Sequence, residues 1–396
     1  MKILVVHNDY GQYSGEEAVV DQFIADYREH GYTVEVFRRS SATSRNTLKG
    51  KIYGFFSGIY SVSGVRTMKR LLHQYQPDVI HIHNLFPFIS PAALFACRKV
   101  GTPVVMTVHN YRLMCPTGLF LRNGHPCEAC LKHRNEWRCI LHNCERSLFR
   151  SLGYAIRNTV ARKWHAYTQC VDYFCCLTDF QQYKLREYGI ATEKLRVFPN
   201  YIDISKLPPQ RFGDTPQKQF VGYVGRISHE KGYDLLLEVA RLHPEIPFRL
   251  AGPSRDDNTH CELPNVTFCG TLDRDHLSTF YQEAAFIVIP SRCYEGFPMV
   301  LLEASIHKKP CIAPNHGAFP ELIHKGNAAT GMVFTPGNIQ DLEQQLVNLW
   351  NNPQQIDLMG AKAYHNVTTY YNKAFITTQW FDFIESVAIR KHSQKI

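Results

Sequence analysis

Two segments in the second half of the chain combine residue types that suit a phosphorylated sugar. The first, Gly225-Arg226-Ile227-Ser228-His229-Glu230-Lys231-Gly232, follows the apolar run Phe220–Val224. Arg226 and Lys231 put two cations where a helix should begin, and helix N-termini favour anions. This suits a diphosphate. The spacing matches neither a Walker A loop nor G-x-G-x-x-G, so nucleoside triphosphate hydrolysis and NAD chemistry lack support. Standing alone, the segment reads better as two surface cations on a turn. The second, Glu295-Gly296-Phe297-Pro298-Met299-Val300-Leu301-Leu302-Glu303, follows the apolar run Phe286–Ile289. Glu295 falls at a loop tip, Gly296 exposes backbone N–H groups, and Pro298 suits a first helical turn. Glu303 lies on that helix. Two carboxylates, one from the loop and one from the helix, can hold vicinal hydroxyls of a sugar or ribose.

A third candidate is His109, which ends the apolar run Val104–Val108. His81, His83 and Asn84 end a neighbouring run and are weaker candidates for an acceptor side. The chain also has 13 cysteines, an odd number that argues against a disulfide framework. Cys97, Cys175, Cys176, Cys269 and Cys311 sit in apolar surroundings and read as small core residues. Cys127 and Cys130 have Cys-x2-Cys spacing, with Cys115, Cys139 and Cys144 close in sequence. Thiolates in this pattern can close a tetrahedral structural zinc site: Cys115, Cys127, Cys130 and Cys144, with Cys139 as a substitute. Free thiols in a loop packed by Leu119, Phe120 and Trp137 are the other reading.

These residues need a scaffold to bring them to strand ends. The chain has 396 residues, 44% hydrophobic and 20% charged, a folded composition with room for more than one domain. Short apolar runs alternate with helical patterns in a β-α-β rhythm. The runs are Ile3–Val6, Val34–Phe37, Val79–Ile82, Val104–Val108, Tyr173–Leu177 and Arg196–Phe198. After a Pro/Gly-bearing linker the rhythm restarts with Phe220–Val224, Phe248–Ala251, Val266–Phe268, Phe286–Ile289, Cys311–Ala313 and Met332–Phe334. The expected layout is an N-terminal domain over 1–205, a linker over 206–218, a C-terminal domain over 219–372 and a helix over 373–396 that packs back on the N-domain. The cysteine insert, about 110–145, shows no convincing strand. In the helix after it, Leu148, Leu152, Ile156, Val160 and Trp164 form a stripe that reads as core-packed.

Together the motifs resemble the retaining family 4 glycosyltransferases of the GT-B fold. The Glu295…Glu303 pair and the Gly225-Arg226…Lys231-Gly232 loop are the specific part. Pro199-Asn200-Tyr201-Ile202-Asp203 resembles that family's interdomain turn, with Tyr201 in place of a glycine, and Leu250-Ala251-Gly252 its apolar-Gly strand end. Tyr13-Ser14-Gly15-Glu16-Glu17 resembles the N-terminal loop, and Val105–Asn110 the strand ending in an active-site histidine. The cysteine insert resembles one branch of the family. The resemblance implies α/β GT-B architecture: two doubly wound Rossmann-like domains facing each other across a cleft. Arg226 and Lys231 would neutralise the departing diphosphate. Glu303 would hold the donor ribose, and Glu295 with Gly296, Phe297 and Pro298 the transferred sugar. Gly15 and Gly225 would let backbone approach the diphosphate, and His109 would contact the sugar. No catalytic metal is implied. The implied partners are a nucleoside-diphosphate sugar and a saccharide acceptor, lipid-linked or soluble, in bacterial surface polysaccharide synthesis.

The net charge of +9 is uneven. Residues 1–205 hold 26 Lys+Arg against 16 Asp+Glu, and the rest hold 18 against 19. Between Val36 and Cys127 the sole acid is Asp78. Arg38, Arg39, Arg45, Lys49 and Lys51 precede the aromatic stretch Ile52–Tyr60, and Arg66, Lys69 and Arg70 follow it. Cations flanking aromatics suit the headgroup boundary of an anionic membrane. Gly54, Gly58 and Gly64 argue against a long regular helix there. The N-terminus is too short in apolar residues for a signal segment. The expected setting is therefore cytoplasmic, peripheral at the inner membrane face. A basic, zinc-stapled nucleic-acid binder is the rival from another class. It leaves the second-half motifs unexplained, so nucleic acid is not an expected partner.

Overall fold

The computed structural model describes residues 1–10, 14–40, 47–206, 220–254, 262–323 and 329–393. The chain forms two compact units. One comprises Met1–Leu119, Glu128–Pro199 and Thr377–Ile396; the other comprises Phe120–Cys127 and Asn200–Ile376. The first thus ends at Pro199, not 205, and residues 120–127 of the insert belong with the second. Of the linker over 206–218, all but Lys206 lies outside the described residues, as do Tyr13 and Arg45.

In the first unit, strands β1 (Lys2–Asp9), β2 (Thr33–Ser40), β3 (Val79–Ile82) and β4 (Val104–Thr107) are followed by the insert's hairpin, β5 (Leu121–Arg122) with β6 (His125–Pro126). Strands β7 (Tyr173–Cys176) and β8 (Leu195–Val197) complete a parallel sheet in the order β2-β1-β3-β4-β7-β8. β3, β4 and most of β7 are buried, which is why they read as continuous apolar runs and not as alternation. The unit's helices begin with α1 (Gly15–Glu29), α2 (Leu48–Ile59), α3 (Val62–Tyr75) and α4 (Ala93–Val100). The insert adds the single-turn α5 (Ala129–Lys132) and α6 (Arg138–Leu141) before α7 (Leu148–Lys163).

Four expectations change here. The glycine-bearing stretch is helical after all, as α2 and α3. Gly64 serves close packing, since a Cβ there would lie 2.4 Å from the Ile89 carbonyl oxygen, whereas at Gly54 and Gly58 a Cβ would meet only ordinary contacts at 3.6 Å or more. The insert does contain a strand pair, β5–β6. The apolar stripe of α7 is only partly packed, with Leu152, Ile156 and Val160 half-buried. Ser151, Ala155, Arg157 and Asn158 are buried, whereas Leu148 and Trp164 are exposed. Cys269 is half-buried and not a core residue, unlike the fully covered Cys97, Cys175, Cys176 and Cys311.

In the second unit, β9 (Phe220–Val224), β10 (Phe248–Ala251), β11 (Val266–Gly270), β12 (Ala284–Val288), β13 (Cys311–Pro314) and β14 (Gly331–Phe334) form a parallel sheet ordered β11-β10-β9-β12-β13-β14. Order reverses between β9 and β12 here, and between β1 and β3 in the first unit. Such reversals open a crevice at the strands' carboxyl ends, where ligands of doubly wound sheets bind.

The helix Lys373–Ser393 closes the first unit. Its Trp380, Phe381 and Ile384 pack with Val19, Phe23 and Tyr27 of α1. Trp380 Nε1 donates to Tyr27 Oη at 3.0 Å, Tyr27 Oη lies 2.9 Å from His81 Nδ1, and His81 Nε2 lies 2.8 Å from Thr107 Oγ1. The indole can only donate, which leaves the tyrosine hydroxyl's own proton available to His81 Nδ1; in that arrangement His81 Nε2 carries the ring proton and donates to Thr107. Trp380→Phe should remove one donor at about 1 kcal/mol, and Trp380→Ala should cost about 3–5 kcal/mol through the cavity it leaves. Urea unfolding curves that coincide for both variants and the parent would contradict this docking.

Candidate active site

The second unit's crevice is built by the loops after β9 and β12. Gly232 has φ +73° and a Cβ there would meet the Pro290 carbonyl oxygen at 1.9 Å, so only glycine lets the two loops touch. The Arg292 backbone N–H donates to the Glu230 carbonyl at 3.0 Å, and its guanidinium grips both Asp234 oxygens at 2.5 and 2.7 Å. Within this frame Lys231 Nζ stands 2.6 Å from Glu295 Oε1, which also accepts from Ser291 Oγ at 2.6 Å. Burial by itself would raise the Glu295 pKa. Attraction to Lys231 and the two hydrogen bonds outweigh it, so the carboxyl sits below its ordinary range. Burial pulls Lys231 down, and Glu295 more than restores it, so the ammonium is firmly charged.

Arg226 is more open, with its guanidinium 3.6 Å from Glu230. Its carbonyl accepts from Tyr223 Oη at 2.6 Å, and Gly225 takes φ +151° at the turn. Phe297 is buried and Pro298 caps helix Met299–Ile306. On that helix Glu303 accepts from Tyr281 Oη at 2.7 Å, and burial raises its pKa. The structure thus joins Lys231, Glu295 and the Gly296–Pro298 backbone in one loop pair, with Glu303 on the helix that follows.

Sequence reasoning missed three parts of this end. The Arg292–Asp234 clamp has no motif. The β5–β6 hairpin is led in by Phe120, whose ring lies 5.7 Å from that of Tyr294, and its turn at Gly124 approaches Arg292 and His229. Asp273-Arg274-Asp275 has Asp-x-Asp spacing, but Asp273 is a helix cap, accepting from the His276 backbone N–H at 2.9 Å. The proline and glycine signals around the hairpin were visible; a two-residue strand is too short to show periodicity.

The first unit's crevice is polar and buried. His83 Nδ1 lies 2.8 Å from His109 Nε2, with the rings stacked. Glu16 accepts from Tyr10 Oη at 3.0 Å and from Asn110 Nδ2 at 3.2 Å, and Arg112 stacks over the Tyr10 ring. Burial pushes the Glu16 carboxyl up to about 7, against the pull of Arg112. Gly15 opens α1, with free space where a side chain would start. His7 Nδ1 and Nε2, Glu16 Oε1 and His83 Nε2 are buried with no hydrogen-bond partner. Such atoms gathered in one place are where a ligand or water binds. His7, Asp9 and Glu17 also bring possible metal-ligand atoms within 4.8 Å of one another. Those oxygens are already engaged. Glu17 accepts from the Tyr10 and Ser14 backbone N–H groups, and Asp9 pairs with Arg38 at 2.7 Å.

Burial lowers His7 to about 4, His109 to about 3 and His316 to about 4, and it holds His81 and His83 well below the ordinary value. The unfolded chain, with histidines near 6.5, therefore binds more protons between about pH 4 and 6.5. Stability contributed by these groups is present above pH 6.5 and is lost as pH falls through that window. Glu16 has the opposite sign, since its raised pKa relieves strain as pH falls from about 7 to its unfolded value. Glu303, also raised by burial, acts in the same sense as Glu16, and the five histidines outweigh these two carboxyls. Denaturant melts at pH 7 and pH 5 should differ by several kcal/mol, lower at pH 5. Equal midpoints would refute this balance.

Two family models match the chain. Residues 13–206 match "Glycosyltransferase Family 4" and residues 209–366 match "Glycosyl transferases group 1". An O-antigen chain mannosyltransferase C from Escherichia coli is 22% identical over 92% of this chain and 92% of its own. An uncharacterized 41.2 kDa protein in the cps region of Klebsiella pneumoniae is 25% identical over 70% of this chain and 72% of its own. Among solved structures, a sucrose-phosphate synthase from Thermosynechococcus elongatus superposes with TM-score 0.69 at 16% identity, covering 98% of each chain. HepE from Anabaena, in complex with UDP and glucose, superposes with TM-score 0.67 at 17% identity, covering 98% of this chain and 100% of its own. Paired parallel sheets with the same architecture, and family models that divide the chain as its two units do, lead to one conclusion: this chain is a glycosyltransferase of the GT-B fold.

Proposed function

We propose that the protein is a retaining hexosyltransferase. It moves a hexose from a nucleoside-diphosphate sugar to a lipid-linked saccharide at an anionic inner membrane face, in bacterial surface polysaccharide synthesis. The observation that carries this is the Lys231–Glu295 pair at the β9/β12 reversal. A charged ammonium is fixed there in a largely buried setting, with Arg226 on the same loop. A departing diphosphate gains negative charge, and preorganised cations stabilise that change more than they stabilise the bound donor. Glu303 would bind the donor ribose, and the backbone N–H groups at Gly296–Pro298, with Glu295, the sugar hydroxyls. His109 and its neutral partner His83 would meet the transferred sugar. Retention is read as front-face transfer, in which the leaving phosphate oxygen takes the acceptor proton. The E. coli relative's name supports surface polysaccharide as the setting, and the bound UDP of HepE supports a uridine donor.

Arg226→Ala should depress kcat more than it changes KM. Lys231→Ala leaves Glu295 buried without its partner, a cost of about 3–5 kcal/mol in stability, so the informative variant is Lys231→Met with Glu295→Gln. Glu303→Ala should weaken donor binding by about 1.5–3 kcal/mol. Isotopic transfer assays with UDP- and GDP-hexoses read these effects, and full turnover in an Arg226→Ala/Lys231→Met/Glu295→Gln variant would sink the donor assignment.

We also propose a structural zinc ion on the cysteine insert. The donor chemistry supports it: the Cys139 thiol is paired with Cys144 and lies within electrostatic reach of Cys115 and Cys130, and these raise its pKa. A divalent cation reverses that penalty by favouring thiolates. Ligation at about 2.3 Å would draw the sulfurs together, because among the described residues no three of them lie within 4.8 Å of one another. Cys115, Cys130 and Cys144 would ligate, with Cys127 or Cys139 as the fourth. Elemental analysis should find about one zinc per chain, reduced by one of Cys127→Ser and Cys139→Ser and not by the other. Metal-free protein purified without chelator would end the proposal.

A further inference from the structure

One face of the first unit is both apolar and mainly basic. Helix α2 packs on α7 and α3 on α4. A Cβ on Gly153 would lie 2.6 Å from the Phe55 ring, so α2 sits tightly against α7. α3 is fastened by Ser61, whose hydroxyl donates to the Phe88 carbonyl at 2.7 Å and accepts from the Gly64 backbone N–H at 3.0 Å. On this fixed base stand exposed rings. Phe56 is 64% exposed, Leu148 64% and Trp164 42%, and Tyr53, Tyr60, Phe95 and Phe149 are also exposed. They form two clusters in edge or stacking contact, Phe149–Phe55–Phe56 and Tyr60–Trp164–Phe95. An exposed apolar patch of this extent marks an interaction surface.

The second cluster edges a cleft of about 450 Å³ lined by Tyr60, Val65, Ala92, Phe95, Ala96 and Trp164. The two other lining residues are Lys69 and Lys99, both exposed. Arg66, Arg70, Arg150 and Lys163 are exposed on the same helices. Asp78 is the single acid from Val36 to Cys127, and Glu145 the single acid from Trp137 to Val171. An apolar slot with ammonium groups on its lining, on helices poor in carboxylates, complements a hydrocarbon chain that ends in a phosphate. An acidic peptide or a nucleic acid would meet the cations but leave the apolar lining of the cleft uncovered.

We propose that this cleft takes one hydrocarbon chain of a membrane lipid, with Lys69 and Lys99 meeting its phosphate and the aromatic clusters entering the headgroup boundary. This deepens the lipid-linked reading above and rests on it. The chain would be held while its headgroup saccharide is extended.

Vesicles of phosphatidylglycerol brominated on the acyl chains test the proposal with the full-length protein. Bromine should quench Trp164 emission, and Trp164→Phe should remove most of the quenched component. Ala96→Phe, which fills the cleft, should cut quenching at least fivefold while sedimentation with the vesicles changes less than twofold. Phe95→Gln at the exposed rim, which adds polarity and no charge, should do the same without touching the core. Lys69→Ala and Lys99→Ala should each lower vesicle affinity about fivefold, as expected for roughly 1 kcal/mol per cation. Equal binding to phosphatidylcholine vesicles, or unchanged quenching in both cleft variants, overturns the proposal. So does a concentration-dependent dimer lost in Trp164→Phe, which would assign the face to a second copy. The donor reading is scored separately. If UDP- and GDP-hexoses fail to raise the melting temperature of the parent protein, that reading fails whatever the vesicles show.

Discussion

A largely buried ammonium held 2.6 Å from a largely buried carboxylate, Lys231 against Glu295, organises the strand-end crevice of the second unit. Neither charge would be tolerated there alone. Each loop therefore needs the other in place. The glycine contact at Gly232–Pro290, the Arg292–Asp234 fork and the Arg292 backbone bond to Glu230 make the two loops one piece. The stability spent on this arrangement fixes a cation before any phosphate arrives. Preorganisation of that kind is the main electrostatic resource of an enzyme whose leaving group gains charge.

The first unit uses the reverse strategy. Its crevice gathers imidazoles that burial keeps neutral, and one carboxyl that burial raises toward neutrality. The buried chain Trp380–Tyr27–His81–Thr107 orients the first imidazole, and the C-terminal helix supplies its outermost donor. Neutral donors and acceptors orient hydroxyls without attracting counter-ions. That is suited to a saccharide, whereas the charged loop pair is suited to a diphosphate. Removing Trp380 thus bears on His81 as well as on packing, although the two lie far apart in sequence.

Much of this was legible in the chain. The twelve strands of the two large sheets follow apolar runs, most plainly the inner ones such as β3, β4, β12 and β13, because a strand covered on both faces must be continuously apolar. Lys231, Glu295 and Glu303 were legible because their spacing is tied to strand ends. The Arg292–Asp234 fork was not, because ion pairs across a fold leave no periodic trace. The hairpin β5–β6 was too short to show alternation, and its membership of the second unit is a tertiary fact. Helices α2 and α3 were misread because glycine's low helix propensity was weighed without the packing that outweighs it. Gly64 and Gly153 are small because backbone and a phenylalanine ring press against them.

The stripe on α7 shows most clearly why periodicity identifies a helix but not its orientation. Leu148, Leu152, Ile156, Val160 and Trp164 recur as a core-facing stripe should, yet the buried positions are Ser151, Ala155, Arg157 and Asn158. Arg157 resolves the paradox. Its guanidinium lies over the Phe86 and Tyr154 rings at 4.1 and 4.6 Å and donates to the Pro116 carbonyl and to Asn158. Burial lowers its pKa to about 10, so it still carries its charge at neutral pH. A helix that buries an arginine with polar neighbours, leaves Leu152 half-buried and turns Leu148 outward departs from the usual economy of a water-soluble surface. The same reasoning extends to Phe56 and Tyr60 at the end of α2, which rigid packing holds outward when a looser helix would let them fold in.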